Sequence, residues 1–166
     1  MMATDALLDT VAEAARAENI AAARTSAAML RFVRARRDDA AAAGESRAGI
    51  EDAGQLACDE IAVALEMSTN AVQSRVYVAG LLADHLPAVA AAHADGRLCG
   101  YRARLIAHAS ADLHHESSRA TLDERAATYA TSHTPTQLRQ WLRRLIVRLE
   151  PEHAVRRREQ ARDRRG

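Results

Sequence analysis

Over residues 5–39 the chain has neither Pro nor Gly, and apolar residues return at helical spacing at Leu8, Val11, Ala15, Ala22, Met29 and Val33. This pattern predicts one long amphipathic helix within residues 1–40, with Glu13, Glu18, Arg24, Arg31 and Arg34 on its polar face. The apolar seam is too rich in alanine for a strong coiled coil, but such a helix can pack on a bundle or pair with a second copy of the chain. The run AAAAGESRAG at 40–49 breaks the periodicity and reads as a linker.

The segment 55–82 has a different logic. Its core, EIAVALEMSTNAVQSRVYVAGLL, places the small Ala62 where two helices would cross. Ile61, Leu65, Met67, Val72 and Val76 fall on inner faces, and Ser68 is a polar cap opening the second helix. That is the pattern of a helix-turn-helix. With Ser68 as cap, Thr69, Asn70, Gln73, Ser74 and Tyr77 lie on the outer face near the start of the second helix, where a reader helix meets the major groove. Asn and Gln are the side chains that pair with the adenine edge. Arg75 is placed to reach a phosphate or to fold back on the first helix. Glu66 stands where such turns commonly carry glycine, so the expectation is a right-handed backbone there.

Beyond this segment, Leu86-Pro87 ends one helix and starts another, because proline suits the first helical turn and disfavours helix at the residue before it. Asp95-Gly96 closes that short helix. Tyr101, Leu105, Ile106 and Ala109 mark the next one, and Leu122, Ala126 and Tyr129 another after a polar turn over 112–118. Thr134-Pro135-Thr136-Gln137 is a helix start in which Thr134 caps the third N–H and Gln137 reaches back to the cap residue. The helix it opens carries Leu138, Trp141, Leu142, Leu145 and Leu149 on one side, with Arg139, Arg143 and Arg144 alongside, until Glu150-Pro151. The fold class is therefore all-α: a multi-helix bundle with a long N-terminal helix, a helical domain over 50–150 that embeds the helix-turn-helix, and an arginine-rich last helix or tail over 151–166.

Composition narrows this picture. At 166 residues, with 48% apolar and 3% aromatic residues, the chain can build one core, made of Ala, Leu, Val and Ile at close helix contacts. All 23 basic residues are arginine, which coding bias explains without a selected role. The net charge of +1 conceals a polarity: residues 1–138 hold 13 Arg against 18 acidic residues, and residues 139–166 hold 10 against 4. The basic end adds Arg156, Arg157 and Arg158 as phosphate contacts for a DNA partner. Cys58 and Cys99 lack metal spacing and read as reduced thiols. No leader or membrane span is evident, and a cytoplasmic location is expected.

Taken as a string, residues 60–82 are similar to the fourth region of bacterial sigma factors and to response-type regulators. The longer order of markers is more specific: Glu60-Ile61-Ala62, the step from Leu82 to Leu86-Pro87, Asp95-Gly96-Arg97-Leu98 before Arg104 and Ile106, and Thr134-Pro135 with Gln137-Leu138-Arg139. Over 56–165 the chain resembles the actinobacterial 13E12 repeat family, also catalogued as domain-of-unknown-function family 222. The resemblance implies a helical module that in many members precedes an HNH nuclease, and a chain that stops where longer members continue.

No nuclease site is legible here. An HNH centre needs a histidine base, a metal-binding histidine and an asparagine between them. His114-His115-Glu116 imitates the first element only, and the asparagines, Asn19 and Asn70, both lie upstream of it. His85, His93, His108, His133 and His153 are scattered. No catalytic residue, metal ligand, cofactor or small-molecule substrate is assigned. The leading expectation is a non-catalytic DNA-binding module. The rival is a helical interaction or scaffold protein, or a remnant, in which the first helix provides a homodimer contact and the motif only packs.

Overall fold

The structure, a computed structural model, describes residues 2–152, in which seven α-helices follow one another with no strand among the described residues. They are α1 (Met2–Ala42), α2 (Arg47–Ala64), α3 (Thr69–His85), α4 (Pro87–Ala94), α5 (Gly100–Ala111), α6 (Glu116–Ser132) and α7 (Pro135–Leu149). The linker expected over 40–49 shrinks to a tight turn. α1 runs on to Ala42, and its end closes where Glu45 N–H bonds Ala40 O at 3.1 Å, with Gly44 at φ +81°. Ser46 then caps α2 by accepting from Gly49 N–H.

Two hydrophobic cores divide the molecule. Met29 and Val33 of α1, Ala57, Cys58, Ile61 and Ala62 of α2 and Val72 of α3 form the smaller one. The larger runs from Leu82 of α3 through Leu86, Val89, Leu98, Ile106, Leu113, Leu122 and Leu138 to Ile146 of α7. α3 belongs to both, with Val72 at one end and Leu82 at the other fully or nearly buried. At Leu86-Pro87 the chain turns through 119° into α4, as expected of proline after a residue that cannot stay helical. No single described helix is long and apolar enough to cross a membrane.

The long seam read along α1 is only half used. Met29 and Val33 are buried, but Leu8 and Val11 stand 68% and 64% exposed, and Ala15 and Ala22 are exposed as well. The reason is length. The bundle reaches only as far as the turn after α4, where Arg16 donates to Asp95 O at 2.9 Å and Asn19 to Gly96 O at 3.1 Å. Gly96 is obligatory at this docking point: its φ is +74°, and a Cβ there would sit 2.6 Å from Arg16 O. Ion pairs Arg34–Asp84 and Arg36–Glu60, at 2.7 and 2.6 Å, fasten the other half of α1 to α3 and α2. Both are half exposed, so solvent screening leaves each of them a minor contribution to stability.

Helix starts in the larger core use two different devices. α7 carries the local one expected from sequence: Thr134 accepts from Gln137 N–H, while Gln137 Oε1 accepts from Thr134 N–H at 2.9 Å. α4 and α6 use carboxylates from distant helices, Asp123 and Glu150, each 3% exposed.

Candidate nucleic-acid interface

α2 ends in a turn that hands the chain to α3 within four residues. Met67 N–H bonds Ala62 O at 2.9 Å and Glu66 N–H bonds Val63 O at 3.3 Å, the paired closure of a Schellman motif. That closure demands a left-handed residue between them, and Glu66 takes it, at φ 53°. The right-handed backbone expected at Glu66 is thus corrected: the two hydrogen bonds and the burial of Ala62 outweigh the clash that a Cβ suffers there. At the end of α1 the same closure has Gly44. Glu66→Gly should therefore raise the unfolding free energy by about 0.5 kcal/mol or more, the relief of strain exceeding the entropy that glycine adds to the unfolded chain. Glu66→Val should lower it, and paired chemical denaturation curves would check both. Leu65, read as an inner-face residue, is 46% exposed instead. As the C-cap of α2 it lies past the last helical turn. Met67 and Val76 do pack on the smaller core as expected.

Ser68 caps α3 by accepting from Ala71 N–H at 3.3 Å. The reader residues picked from sequence then separate into three groups. Asn70 and Ser74 are exposed and make no hydrogen bond among the described residues. Thr69 and Gln73 are half-buried and tied back to α2, Thr69 Oγ1 donating to Asp59 at 2.8 Å and Gln73 to Gln55 Oε1. Tyr77, 50% exposed, has its ring centroid 6.0 Å from that of His108 of α5. Arg75, exposed and in no ion pair among the described residues, lines a cleft with α1 and α5. Arg156, Arg157 and Arg158 lie outside the described residues.

Basic and aromatic groups absent from the sequence-based set stand beside Arg75. Tyr101, at the start of α5, carries Arg104 over its ring at 5.2 Å and Arg139 of α7 at 5.5 Å, and Arg139 also donates to its hydroxyl. The Tyr101–Arg104 pair is legible as an i, i+3 neighbour relation on one helix. Arg139 is 38 residues away in sequence, and nothing local announces it. α7 itself bears Arg139, Arg143, Arg144 and Arg148 and no acidic residue. On its other flank Tyr129 is stacked between His133 and Trp141, with centroid distances of 3.6 and 4.5 Å, and Arg125, Arg144 and Arg148 line the groove there.

Among the described residues, no group of three or more His, Cys, Asp or Glu is placed to hold a metal ion. The N–H groups of His114 and His115 serve the Glu150 carboxylate. Burial pushes the Cys58 thiol above its ordinary value, against a smaller opposing pull from Arg37, which keeps it protonated rather than nucleophilic.

No curated protein and no solved structure matches the chain. One family does, over residues 13–166, which takes in every helix from the first third of α1 onward. The chain belongs to the family described as domain of unknown function DUF222.

Proposed function

We propose that this protein is a non-catalytic DNA-binding module in which α2 and α3 act as a helix-turn-helix. The observation that carries the reading is the presentation of the first turns of α3. Asn70 and Ser74 are open to solvent there, beyond a tight turn, and Arg75, Arg104 and Arg139 make no ion pair among the described residues. Asn70 is the side chain suited to adenine, and Gln73 becomes a second reader once it exchanges Gln55 for a base edge. The arginines supply the sequence-independent, salt-sensitive part of the affinity.

Fluorescence polarisation on a pool of duplex fragments, repeated at several salt concentrations, tests this. Arg139→Gln should weaken binding to all fragments and flatten the log–log salt dependence by about one unit. Asn70→Ala with Gln73→Ala should instead reduce discrimination among fragments by about tenfold or more. Absence of binding at low salt, or binding indifferent to both changes, sinks the proposal.

A second reading, self-association through α1, is favoured by Leu7, Leu8 and Val11, which are 67%, 68% and 64% exposed in a stretch, residues 4–18, that is exposed throughout. A copy of the same segment would cover them, and a dimer would present two copies of α3. Sedimentation equilibrium should show a dimer that becomes a monomer on Leu8→Glu with Val11→Glu. A wild-type chain that stays monomeric at high concentration removes this reading.

A further inference from the structure

Above its packed half, α1 leaves a gap against α3 and α5, where it contributes Ala22 and Ser26 and the facing residues include Ala71, Ala79, Ala103 and Gly100. A cleft of about 460 Å³ remains beneath it. Alanine-rich packing explains a gap, but it does not explain the lining. Arg75 and Arg104 both border the cleft without an ion pair to any described residue, Ser74 and Ser26 add hydroxyls, and no carboxylate is among the described residues that line it. The groove between α1, α2 and α3, by contrast, has Glu51 and Asp84 set against Arg34 and Arg37.

Two further groups face this cleft. Gly100 opens α5, and Cys99 before it gives no side-chain cap, so the first N–H groups of a 12-residue helix have no capping acceptor. His93 also borders the cleft, its Nδ1 lying 2.8 Å from Leu98 O. We infer that this cleft is a phosphate-binding site, in which Arg75 and Arg104 flank the anion, Ser74 donates a hydroxyl and the start of α5 points its amides at the oxygens. The phosphate belongs either to a nucleic-acid strand or to a free phosphorylated small molecule. The inference goes beyond the base reading proposed above, because the site takes phosphate whether or not α3 enters a groove.

Titration of the ¹⁵N-labelled full chain with inorganic phosphate, followed through the Gly100 and Ser74 amides, is the test. Saturable shifts are expected, weakened at least about tenfold by Arg75→Gln and by Arg104→Gln, since each removes a charged hydrogen bond. Arg143→Gln, outside the lining, should leave them unchanged. Both test positions are exposed, and unaltered melting of the variants would show that the fold is kept. Tighter competition by deoxyadenosine monophosphate than by phosphate assigns the site to a free nucleotide, and displacement by duplex DNA alone assigns it to a strand. Saturation by phosphate in a chain that binds no duplex keeps this inference and removes the DNA reading. Shifts that do not saturate, or that persist in both arginine variants, overturn it even if Asn70→Ala still impairs duplex binding.

Discussion

Asp123→Ala should lower the unfolding free energy by about 3 kcal/mol, the largest effect expected of any polar substitution in this chain. The carboxylate of Asp123 is 3% exposed and takes the N–H groups of Ala88 and Val89, each at 2.8 Å. These are the first two donors of α4, since Pro87 has none and the N-cap Leu86 offers no side-chain acceptor. Alanine would leave both N–H groups unpaired, that of Ala88 part-buried and that of Val89 buried, and would remove a negative charge from the positive end of the helix. Asp123→Asn keeps one acceptor and should cost about half as much. Urea denaturation would measure both, with the slope unchanged if the native state keeps its compactness. Against the 5–15 kcal/mol that roughly holds domains of this size together, such a loss is readily seen. A cost near zero for Asp123→Ala would mean that α4 is held by its apolar face alone.

Glu150→Gln should destabilise the protein at neutral pH and progressively less in acid. Glu150 ends α7, yet its carboxylate reaches the start of α6, accepting from His114 N–H at 2.9 Å and His115 N–H at 2.9 Å. Burial pushes its carboxyl up, but the N–H groups of His115 and His114, the Ser118 hydroxyl and the His115 charge together hold it below the ordinary glutamate range. A carboxyl with a lowered folded value stabilises the protein fully above the unfolded value of about 4.3, and that contribution disappears as pH falls through the folded value. The gap between wild type and Glu150→Gln should thus be widest above about pH 5 and close below it. Denaturation midpoints measured from pH 7 down to 3 would give the curve. A gap that stays constant across that range would contradict the assignment, because the glutamine cannot titrate.

The candidate interface was legible wherever its residues share one helix. Ser68 as cap put Thr69, Asn70, Gln73, Ser74 and Tyr77 on a common face by spacing alone. Their separation into open and engaged side chains depends on Asp59, Gln55 and His108, which approach from α2 and α5. The same holds for the basic surroundings. Arg104 could be joined to Tyr101 by helical spacing, but Arg139 arrives only because α7 packs on α5, and His93 meets the cleft only because the turn after α4 folds its carbonyls back. Glu66 is the instructive failure. Residue preference argued for a right-handed backbone, and cooperative closure of the turn imposed the left-handed one.

By itself the sequence determined the helical class, the breaks within 40–49, at Leu86-Pro87 and at Asp95-Gly96, the cap at Ser68 and the capping box at Thr134, all of which rest on interactions within a few residues. Tertiary structure alone decided which half of α1 is buried, since periodicity says which face is apolar but not how far the bundle reaches along it. It also decided that α4 and α6 are started by Asp123 and Glu150, which stand 34 and 35 residues from the N–H groups they accept. A carboxylate in a polar-looking run carries no local sign of its destination, and burial beside a helix start gives it one.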